Sequence, residues 1–227
     1  MGPEDGHTAP LRVKICGLTD PVALRAAVEA GAAYVGFVHF APSPRHLSTE
    51  AIAALGVDVP PGTLRVLLLV EPDDRLLEIA AGLPIDMIQL HGHETADRVT
   101  EAKRITGLPV MKAIGISEAR DLDQIAVYAP VADQLLVDTK APKGASRPGG
   151  NAVSFDWSLI AGRRWPLPWM LAGGLKPERI AEAVRVTGAR QLDLSSAVES
   201  APGVKDPAKI RSFLAAAAGA VAAEPGG

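Results

Sequence analysis

Eight short runs rich in Val, Ile and Leu alternate along the sequence with longer stretches of Ala, Glu and Arg at helical spacing, which predicts an α/β protein. Near-continuous apolar strands are typical of a parallel sheet that is covered by helices. Eight strand–helix units within 227 residues predict a closed (β/α)8 barrel, the TIM-barrel fold, formed by a single domain. An open doubly wound sheet is the alternative, but no G-x-G-x-x-G follows the first strand, which argues against dinucleotide binding.

Each predicted strand is a short apolar run, and a helical stretch with start and end signals follows it. The strands are predicted at RVKIC (12–16), YVGFVHF (34–40), LRVLLLV (64–70), DMIQLH (86–91), VMKAIGI (110–116), QLLVDT (134–139), WMLAGG (169–174) and QLDLSS (191–196). The helices are predicted at 20–31, 48–56, 72–82, 94–107, 117–129, 156–163, 176–188 and 206–218. Asp or Ser begins several of these stretches, Pro stands at early positions and Gly ends many of them, as helix capping favours.

Composition and charge limit the classes of function. Hydrophobic residues make up 48% of the chain and charged residues 22%, and the net charge of -3 offers no basic surface for nucleic acid. A single cysteine excludes an intrachain disulfide framework and a multi-cysteine zinc site. No apolar run reaches membrane-spanning length and MGPEDGHTAP lacks a signal-peptide core, so we expect a cytoplasmic protein without a membrane partner.

The same patterns predict the organisation of the chain. We expect a flexible N-terminal segment at 1–10, a barrel domain at 11–220 and a flexible tail at 221–227. The sequence is compatible with a monomer and with a homodimer.

The barrel makes strand ends informative, because active sites of this fold lie at the carboxyl ends of the strands and in the loops that follow. The residues at those places are Cys16, Arg45, His91, Asp138, Gly173, Gly174, Asp193, Ser195 and Ser196.

Several of these residues also have a purely structural interpretation. Cys16 is either a small buried hydrophobe or a thiolate stabilised by the next helix N-terminus, and its position favours neither. Asp138 is interpreted as functional, because Asp156 is the better cap for the helix predicted next. Arg45, in the proline-stiffened turn SPRH, is either solvated or binds a carboxylate bidentately. His91 is either a core or surface histidine or a site residue.

The loops after the last two predicted strands predict a phosphate site. Gly173 and Gly174 let the backbone approach an anion closely, and Ser195 and Ser196 add hydroxyl donors. Ordinary turn chemistry is the alternative, but the two signals fall on adjacent loops. We therefore expect a phosphorylated small molecule as substrate.

Motifs in order along the chain resemble those of phosphoribosylanthranilate isomerases, enzymes of tryptophan biosynthesis. The resemblance is carried by VKICGLTDPVALRAAVEAGAAYVGFVHFAPSPRHLS (13–48), QLHG (89–92), LLVDT (135–139), FDW (155–157), LAGGLKPE (171–178) and DLSSAVESAPGVKD (193–206). It covers nearly the whole chain outside the first ten residues and the tail, and the KICG block and SPR turn are specific together. It implies an isomerase barrel that needs no metal and no organic cofactor.

The reaction that this resemblance implies is the Amadori rearrangement of N-(5-phosphoribosyl)anthranilate to 1-(o-carboxyphenylamino)-1-deoxyribulose 5-phosphate. By the same resemblance, Asp138 is the general acid that protonates the ribose ring oxygen, and Cys16 is the general base that removes the C2 proton. Such a base is expected to have a lowered thiol pKa. The resemblance also implies that Arg45 pairs with the anthranilate carboxylate and that His91 and Asp193 bind substrate.

Three positions depart from the family pattern. His39 stands where Phe is usual, and the segment 140–153 carries RPGG where a GGTG-like run is usual. Ala197 replaces the glycine of the usual SSGVE, so a positive φ there would strain the backbone and weaken phosphate binding.

Two other functions stay open. An enzyme similar to indole-glycerol-phosphate synthase is expected to carry a catalytic lysine and glutamates at strand ends, where this chain has Cys16 and Asp138. A barrel that binds a phosphorylated metabolite without turning it over is the second alternative.

Overall fold

The computed structural model describes residues 10–139 and 156–222 and shows a closed barrel of eight parallel strands. Each strand pairs with the next along the chain, and the eighth pairs with the first. The strands are β1 (Arg12–Cys16), β2 (Tyr34–His39), β3 (Leu64–Leu69), β4 (Met87–Leu90), β5 (Val110–Ile116), β6 (Gln134–Thr139), β7 (Trp169–Leu171) and β8 (Gln191–Leu194). The predicted barrel is confirmed, and every strand lies within the apolar run that predicts it.

Seven α-helices within the described residues accompany the barrel. They are α1 (Pro21–Glu29), α2 (Thr49–Gly56), α3 (Asp74–Ala81), α4 (Ala96–Thr106), α5 (Asp123–Tyr128), α6 (Ile180–Thr187) and α7 (Pro207–Ala222). The carboxylate of Asp20 begins α1 because it accepts hydrogen bonds from the backbone N–H groups of Val22 and Ala23, both at 2.9 Å. Gly107 and Gly188 end α4 and α6 in the left-handed conformation. The start and end signals are confirmed at these helices.

Three of the predicted helices are wrong in extent. Residues 117–129 form the 3-10 turn Ala119–Leu122 before α5, and 176–188 begin with the 3-10 turn Pro177–Arg179 before α6. Between 156 and 163, only the single 3-10 turn Trp157–Ile160 forms. Gly162 follows this turn with φ 65°, a left-handed conformation that ends regular helix.

The carboxyl ends of the last two strands also differ from the prediction. β7 ends at Leu171, because Gly173 and Gly174 have φ values of 83° and 63°, which no strand residue adopts. After β8, the chain forms a hairpin that the sequence pattern did not reveal. In this hairpin β9 (Glu199–Ala201) and β10 (Val204–Lys205) are antiparallel.

Side chains point alternately into and out of the barrel along each strand. The outward-facing side chains pack with the helices in the larger apolar core, which includes Ile15, Phe37, Leu67, Ile88, Ile114 and Val137. A second apolar cluster fills the interior, formed by Tyr34, Val66, Met111, Ala113, Leu136, Met170 and Ala172. Other buried interior positions are polar: Lys14, Gln89, Asp138 and Asp193. Burial of apolar surface closes the barrel, and the polar side chains gather toward the end where this fold places active sites.

In the two described ranges, no helix is long and apolar enough to cross a membrane. Residues 1–9, 140–155 and 223–227 lie outside the described residues. The whole segment 140–153 and most of the predicted terminal segments, 1–10 and 221–227, fall among them. The predictions made for them stay predictions.

Candidate active site

Cys16 and Asp138, the predicted base and acid, lie at the carboxyl ends of β1 and β6. Both are buried, with 5% and 8% of their surface exposed. Residues two apart on a strand share one face. Cys16 is therefore on the inward face of β1 with Lys14, and Asp138 is on the inward face of β6 with Leu136. The two groups therefore face the barrel interior from different strands, as an acid–base pair acting on one substrate requires.

Room for the Cys16 thiol depends on Gly36 of the neighbouring strand β2. A Cβ atom at Gly36 would lie 3.0 Å from Cys16 Cα and 3.1 Å from its Sγ, closer than ordinary van der Waals contact. Burial and, after it, the negative charge of Asp193 raise the pKa of the Cys16 thiol by more than the positive charges of Lys14 and Lys205 lower it. The first N–H groups of α1 are bonded to Asp20 rather than turned to the sulfur. The prediction of a lowered thiol pKa is therefore wrong.

Lys14 is a fully buried cation beside the thiol, and the sequence analysis did not single it out. Its Nζ donates hydrogen bonds to Oε1 of Gln89 at 2.8 Å and to Oδ1 of Asp193 at 2.9 Å. Burial opposes the charge, but the carboxylate of Asp193 counteracts it and the pKa of Lys14 is raised. Lys14 is therefore an ammonium ion, held by an ion pair of the kind that a buried charge needs.

Asp138 has two neighbours that orient its carboxyl group. Oδ1 accepts a hydrogen bond from the backbone N–H of Thr139 at 2.7 Å, and Oδ2 lies 3.5 Å from Nε2 of His91. The other ring nitrogen of His91, Nδ1, lies 2.8 Å from Nε2 of Gln89. His91 is thus a neighbour of the proposed acid, which excludes the interpretation as a surface histidine. Gly173 also borders this carboxyl, because a Cβ there would lie 2.8 Å from Oδ1.

Arg45 is buried in an ion-pair cluster, so the interpretation as a solvated loop arginine is wrong. Its Nε and Nη2 donate to the two carboxylate oxygens of Glu199 at 2.6 and 2.8 Å. Nζ of Lys205 donates to the same carboxylate at 2.7 Å. Burial acts to raise the pKa of Glu199, but the hydrogen bonds from Arg45 and the charge of Lys205 outweigh it and lower that pKa. Arg45 thus binds a carboxylate bidentately, as predicted, but this carboxylate is that of Glu199 in the same chain.

The predicted phosphate loops lie side by side at the ends of β7 and β8. Gly173 and Gly174 have the left-handed backbone conformation that suits close approach to an anion. Ser195 donates its one hydroxyl proton to the carbonyl oxygen of Cys16 at 3.0 Å, and the same hydroxyl accepts from Nζ of Lys205 at 3.0 Å. Ser196 begins the short 3-10 turn Ser196–Val198. The hydroxyl of Ser195 therefore has partners within the protein, and the prediction that it donates to phosphate stays a prediction.

Two of the departures from the family pattern have structural answers. Among the described residues, the only non-glycine residue with positive φ is Glu71, so the strain expected at Ala197 is absent. His39 places Nδ1 at 2.8 Å from the carbonyl oxygen of Leu47, and since a carbonyl only accepts, Nδ1 carries the proton. His39 therefore fastens the loop that leads from Arg45 to α2.

Four polar residues of the site were missed by sequence reasoning: Lys14, Gln89, Glu199 and Lys205. Lys14 and Gln89 precede Cys16 and His91 by two residues on the same strand faces, so alternation was an available signal. Glu199 and Lys205 lie on the unforeseen hairpin, and no pattern marked them. Within residues 10–139 and 156–222, no cluster of three or more His, Cys, Asp or Glu side chains is placed to hold a metal ion.

Comparison with known proteins gives consistent results across the chain. A family model described as N-(5'phosphoribosyl)anthranilate (PRA) isomerase matches residues 13–216. The N-(5'-phosphoribosyl)anthranilate isomerase of Paracoccus denitrificans is 57% identical over 206 residues, which cover 90% of this chain and 96% of that protein. The protein of the same name from Paramagnetospirillum magneticum is 54% identical over 211 residues, 92% of this chain and 98% of the relative.

Solved structures agree with the sequence relatives. The crystal structure of phosphoribosyl anthranilate isomerase from Thermotoga maritima has a TM-score of 0.82 and 35% identity, and covers 92% of this chain and 99% of that one. A crystal structure of phosphoribosyl anthranilate isomerase in complex with reduced 1-(o-carboxyphenylamino)-1-deoxyribulose 5-phosphate has a TM-score of 0.80 at 34% identity, covering 92% of this chain and 99% of that one. With the same barrel, the same motifs in order and a family match over most of its length, the chain belongs to the N-(5'-phosphoribosyl)anthranilate isomerase family.

Proposed function

We propose that the protein isomerises N-(5-phosphoribosyl)anthranilate to 1-(o-carboxyphenylamino)-1-deoxyribulose 5-phosphate in tryptophan biosynthesis, with Asp138 as general acid and Cys16 as general base. The observation that carries the proposal is the placement of both groups at the catalytic end of one barrel interior, from β1 and β6. Membership of the family supports the choice of substrate.

The proposed chemistry moves two protons and needs no redox step. Asp138 gives its proton to the ribose ring oxygen, the bond from that oxygen to C1 breaks, and the nitrogen lone pair forms the Schiff base. The Cys16 thiolate then takes the proton from C2, and the electron pair of that C–H bond gives the enolamine, which tautomerises to the ketone. Each positioned proton transfer contributes roughly 10²- to 10⁴-fold to the rate.

The raised pKa of Cys16 affects this role. The thiolate is the minor form near neutral pH, and its fraction rises with pH. Lys14 lies beside the sulfur, and its charge favours the thiolate more than that of Lys205 does. Once formed, the Cys16 thiolate is a stronger base than a thiolate in water, because burial disfavours its charge by more than Lys14 stabilises it.

The two ends of the substrate are proposed to bind at opposite sides of this acid–base pair. The anthranilate carboxylate pairs with Arg45, whose Nη1 is not among the atoms that Glu199 contacts. The phosphate lies against the backbone N–H groups of Gly173, Gly174, Ser195 and Ser196, since the hydroxyl of Ser195 has other partners. His91 and Asp193 are proposed to contact the ribose between the two ends. Fixing both ends orients the sugar and supplies the proximity contribution to catalysis.

The test is consumption of freshly formed phosphoribosylanthranilate by the purified protein, followed through the loss of substrate fluorescence. Cys16→Ser and Asp138→Asn are expected to lower kcat by at least about 10²-fold with the fold unchanged, because each removes one proton transfer. Asp156→Asn is the matched control, since Asp156 is exposed and its carboxylate caps the 3-10 turn Trp157–Ile160. Retention of most of the kcat by either site variant would refute the assigned role. Binding without turnover by the wild type would favour a non-catalytic barrel.

We propose further that residues 11–220 form the catalytic domain and that the protein works in the cytoplasm as a monomer or a homodimer. Family membership in a biosynthetic pathway supports the location. A Thermotoga maritima phosphoribosylanthranilate isomerase is described as dimeric, which makes a dimer the form to test first by sedimentation.

A further inference from the structure

We propose that Gln89 is a positioning residue that fixes the tautomer of His91, so that the imidazole presents Nε2–H to the carboxyl group of Asp138. The proposal deepens the proposed function, because it rests on Asp138 as the general acid. Neither Gln89 nor Lys14 touches the substrate in this scheme. Gln89 acts through His91, and Lys14 orients the Gln89 amide.

Lys14 allows only one orientation of the Gln89 amide. An ammonium group donates hydrogen bonds and accepts none. The Gln89 atom at 2.8 Å from Lys14 Nζ must therefore be the carbonyl oxygen. The opposite end of the amide is then the NH2 group, and it faces Nδ1 of His91 at 2.8 Å.

The orientation of the amide determines the protonation of the imidazole. Because an NH2 group only donates, Nδ1 of His91 must accept, and the proton of the neutral ring is on Nε2. Nε2 is the nitrogen that lies 3.5 Å from Oδ2 of Asp138. The distance is longer than a hydrogen bond, as catalytic contacts often are before substrate closes them.

The backbone around His91 is fixed separately, which leaves the tautomer as the variable that Gln89 controls. Glu94 accepts hydrogen bonds from the backbone N–H of Gly92 at 3.0 Å. Lys112 donates to the carbonyl oxygen of Gly92 at 2.8 Å and to Glu94 at 2.9 Å. This buried pair holds the turn after β4, where His91 is located.

The consequence for catalysis concerns the charge that appears on Asp138. When Asp138 gives its proton to the ring oxygen, its carboxylate already accepts from Thr139 N–H at Oδ1. The Nε2–H of His91 supplies a second donor, at Oδ2. The opposite tautomer would direct a nitrogen lone pair at the new anion and oppose the proton transfer.

The direct test is nitrogen NMR of histidine-labelled protein, in which protonated and unprotonated ring nitrogens give distinct shifts. The signals of His91 are identified as those that disappear in His91→Gln, among the five histidines of the chain. In the wild type, Nε2 is expected to be protonated and Nδ1 not. In Gln89→Glu, a carboxylate that only accepts faces Nδ1, so Nδ1 is expected to become protonated. A wild-type His91 protonated at Nδ1, or a Gln89→Glu variant with unprotonated Nδ1, would overturn the proposal.

Kinetics separate positioning from simple packing. His91→Phe, which keeps an aromatic ring but has no N–H, is expected to lower kcat between roughly 10- and 100-fold, in addition to any rise in KM from the lost ribose contact. His91→Gln restores an N–H donor near the Nε2 position and is expected to recover a substantial part of that loss. Gln89→Met, which removes both polar atoms at similar size, is expected to show both His91 tautomers and a smaller loss of kcat. Equal kcat for His91→Phe and His91→Gln contradicts the donor role.

The failure of this proposal is distinguishable from failure of the proposed function. If wild-type protein does not convert phosphoribosylanthranilate, the function is wrong, whatever the tautomer. If wild-type protein does convert it but the NMR shows the other tautomer, the function stands and the role of Gln89 is wrong. If Gln89→Met does not fold, the wild-type and Gln89→Glu spectra still decide.

Discussion

Gly173 has a left-handed backbone and lies against Asp138, and a pair of alanine variants separates the effects of these two properties. Its φ is 83°, and a Cβ there would lie 2.8 Å from Asp138 Oδ1 and 2.9 Å from the backbone nitrogen of Thr139. Gly31, after α1, has a closely similar φ of 87°, and a Cβ there would meet nothing within 4 Å. Gly31→Ala therefore introduces backbone strain alone, whereas Gly173→Ala introduces the same strain together with crowding of the proposed acid.

The expected magnitudes follow from these geometries. Left-handed backbone costs an alanine about 1–2 kcal/mol relative to glycine, and the restricted unfolded chain returns about 0.4–1 kcal/mol in both variants. Crowding a packed site costs a further 1–3 kcal/mol or so. We expect the free energy of unfolding to fall by about 1–3 kcal/mol more in Gly173→Ala than in Gly31→Ala, equivalent to roughly 2–4 °C in Tm per kcal/mol.

Urea unfolding and steady-state kinetics measure the two effects independently. Gly31→Ala is expected to keep the wild-type kcat. Gly173→Ala is expected to lose roughly 10-fold or more, because even a small displacement of Asp138 lengthens the proton transfer. If both variants lose equal stability and Gly173→Ala keeps its kcat, then the neighbours of Gly173 accommodate the methyl group without a measurable free-energy cost. That result would refute the predicted crowding of Asp138.

Three further predictions concern the charged groups. Arg45→Ala should raise KM by roughly 10- to 100-fold with little change in kcat, because a charged hydrogen bond to the substrate carboxylate is lost; a fall in kcat at constant KM argues against this role. The thiolate absorbance at about 240 nm of the chain's single cysteine, measured against Cys16→Ser, should appear only at pH values above the ordinary thiol pKa of about 8.5, since burial raises the pKa of Cys16; a full thiolate signal at pH 7 contradicts it. The lowered pKa of Glu199 stabilises the fold at pH values above the ordinary carboxyl pKa of about 4.3, and this stability is lost as the pH falls through the lowered value. The difference in unfolding free energy between wild type and Glu199→Gln should therefore shrink in urea titrations as the pH falls from about 5 to 3, and a constant difference would show that the ion pair does not depend on this ionisation.

The fold could be predicted because each strand carries its own signal. An apolar run between turn residues predicts a buried parallel strand from local sequence alone. Eight such strands joined by helices are compatible with few sheet topologies, of which the closed barrel is one. The prediction failed where backbone geometry depends on single residues. WMLAGG continues as an apolar run, yet the left-handed conformations of Gly173 and Gly174 end β7 three residues early.

The sequence predicted where the candidate site lies, but not the ionisation of its groups or their ion-pair partners. Strand ends locate Cys16 and Asp138, because the barrel places active sites there. The pKa of Cys16 could not be predicted from the adjacent helix, because it depends on burial and on partners that are distant in the sequence. Asp193, the ion-pair partner of Lys14, is 179 residues away along the chain. Glu199, which binds Arg45, is 154 residues beyond it.

The pairing of these charges explains why the thiol is not ionised in advance, although two ammonium groups lie near it. Lys14 is neutralised by Asp193 at 2.9 Å, and Lys205 by Glu199 at 2.7 Å. The sulfur therefore faces two ion pairs rather than two uncompensated cations, and the burial contribution to its pKa prevails. Arg45, which shares the Glu199 carboxylate with Lys205, is the cation that is proposed to bind the substrate carboxylate. Its Nη1 makes no hydrogen bond to Glu199. The pKa of Cys16 is thus set first by burial and then by the balance between Lys14 and Asp193, rather than by the helix that follows β1.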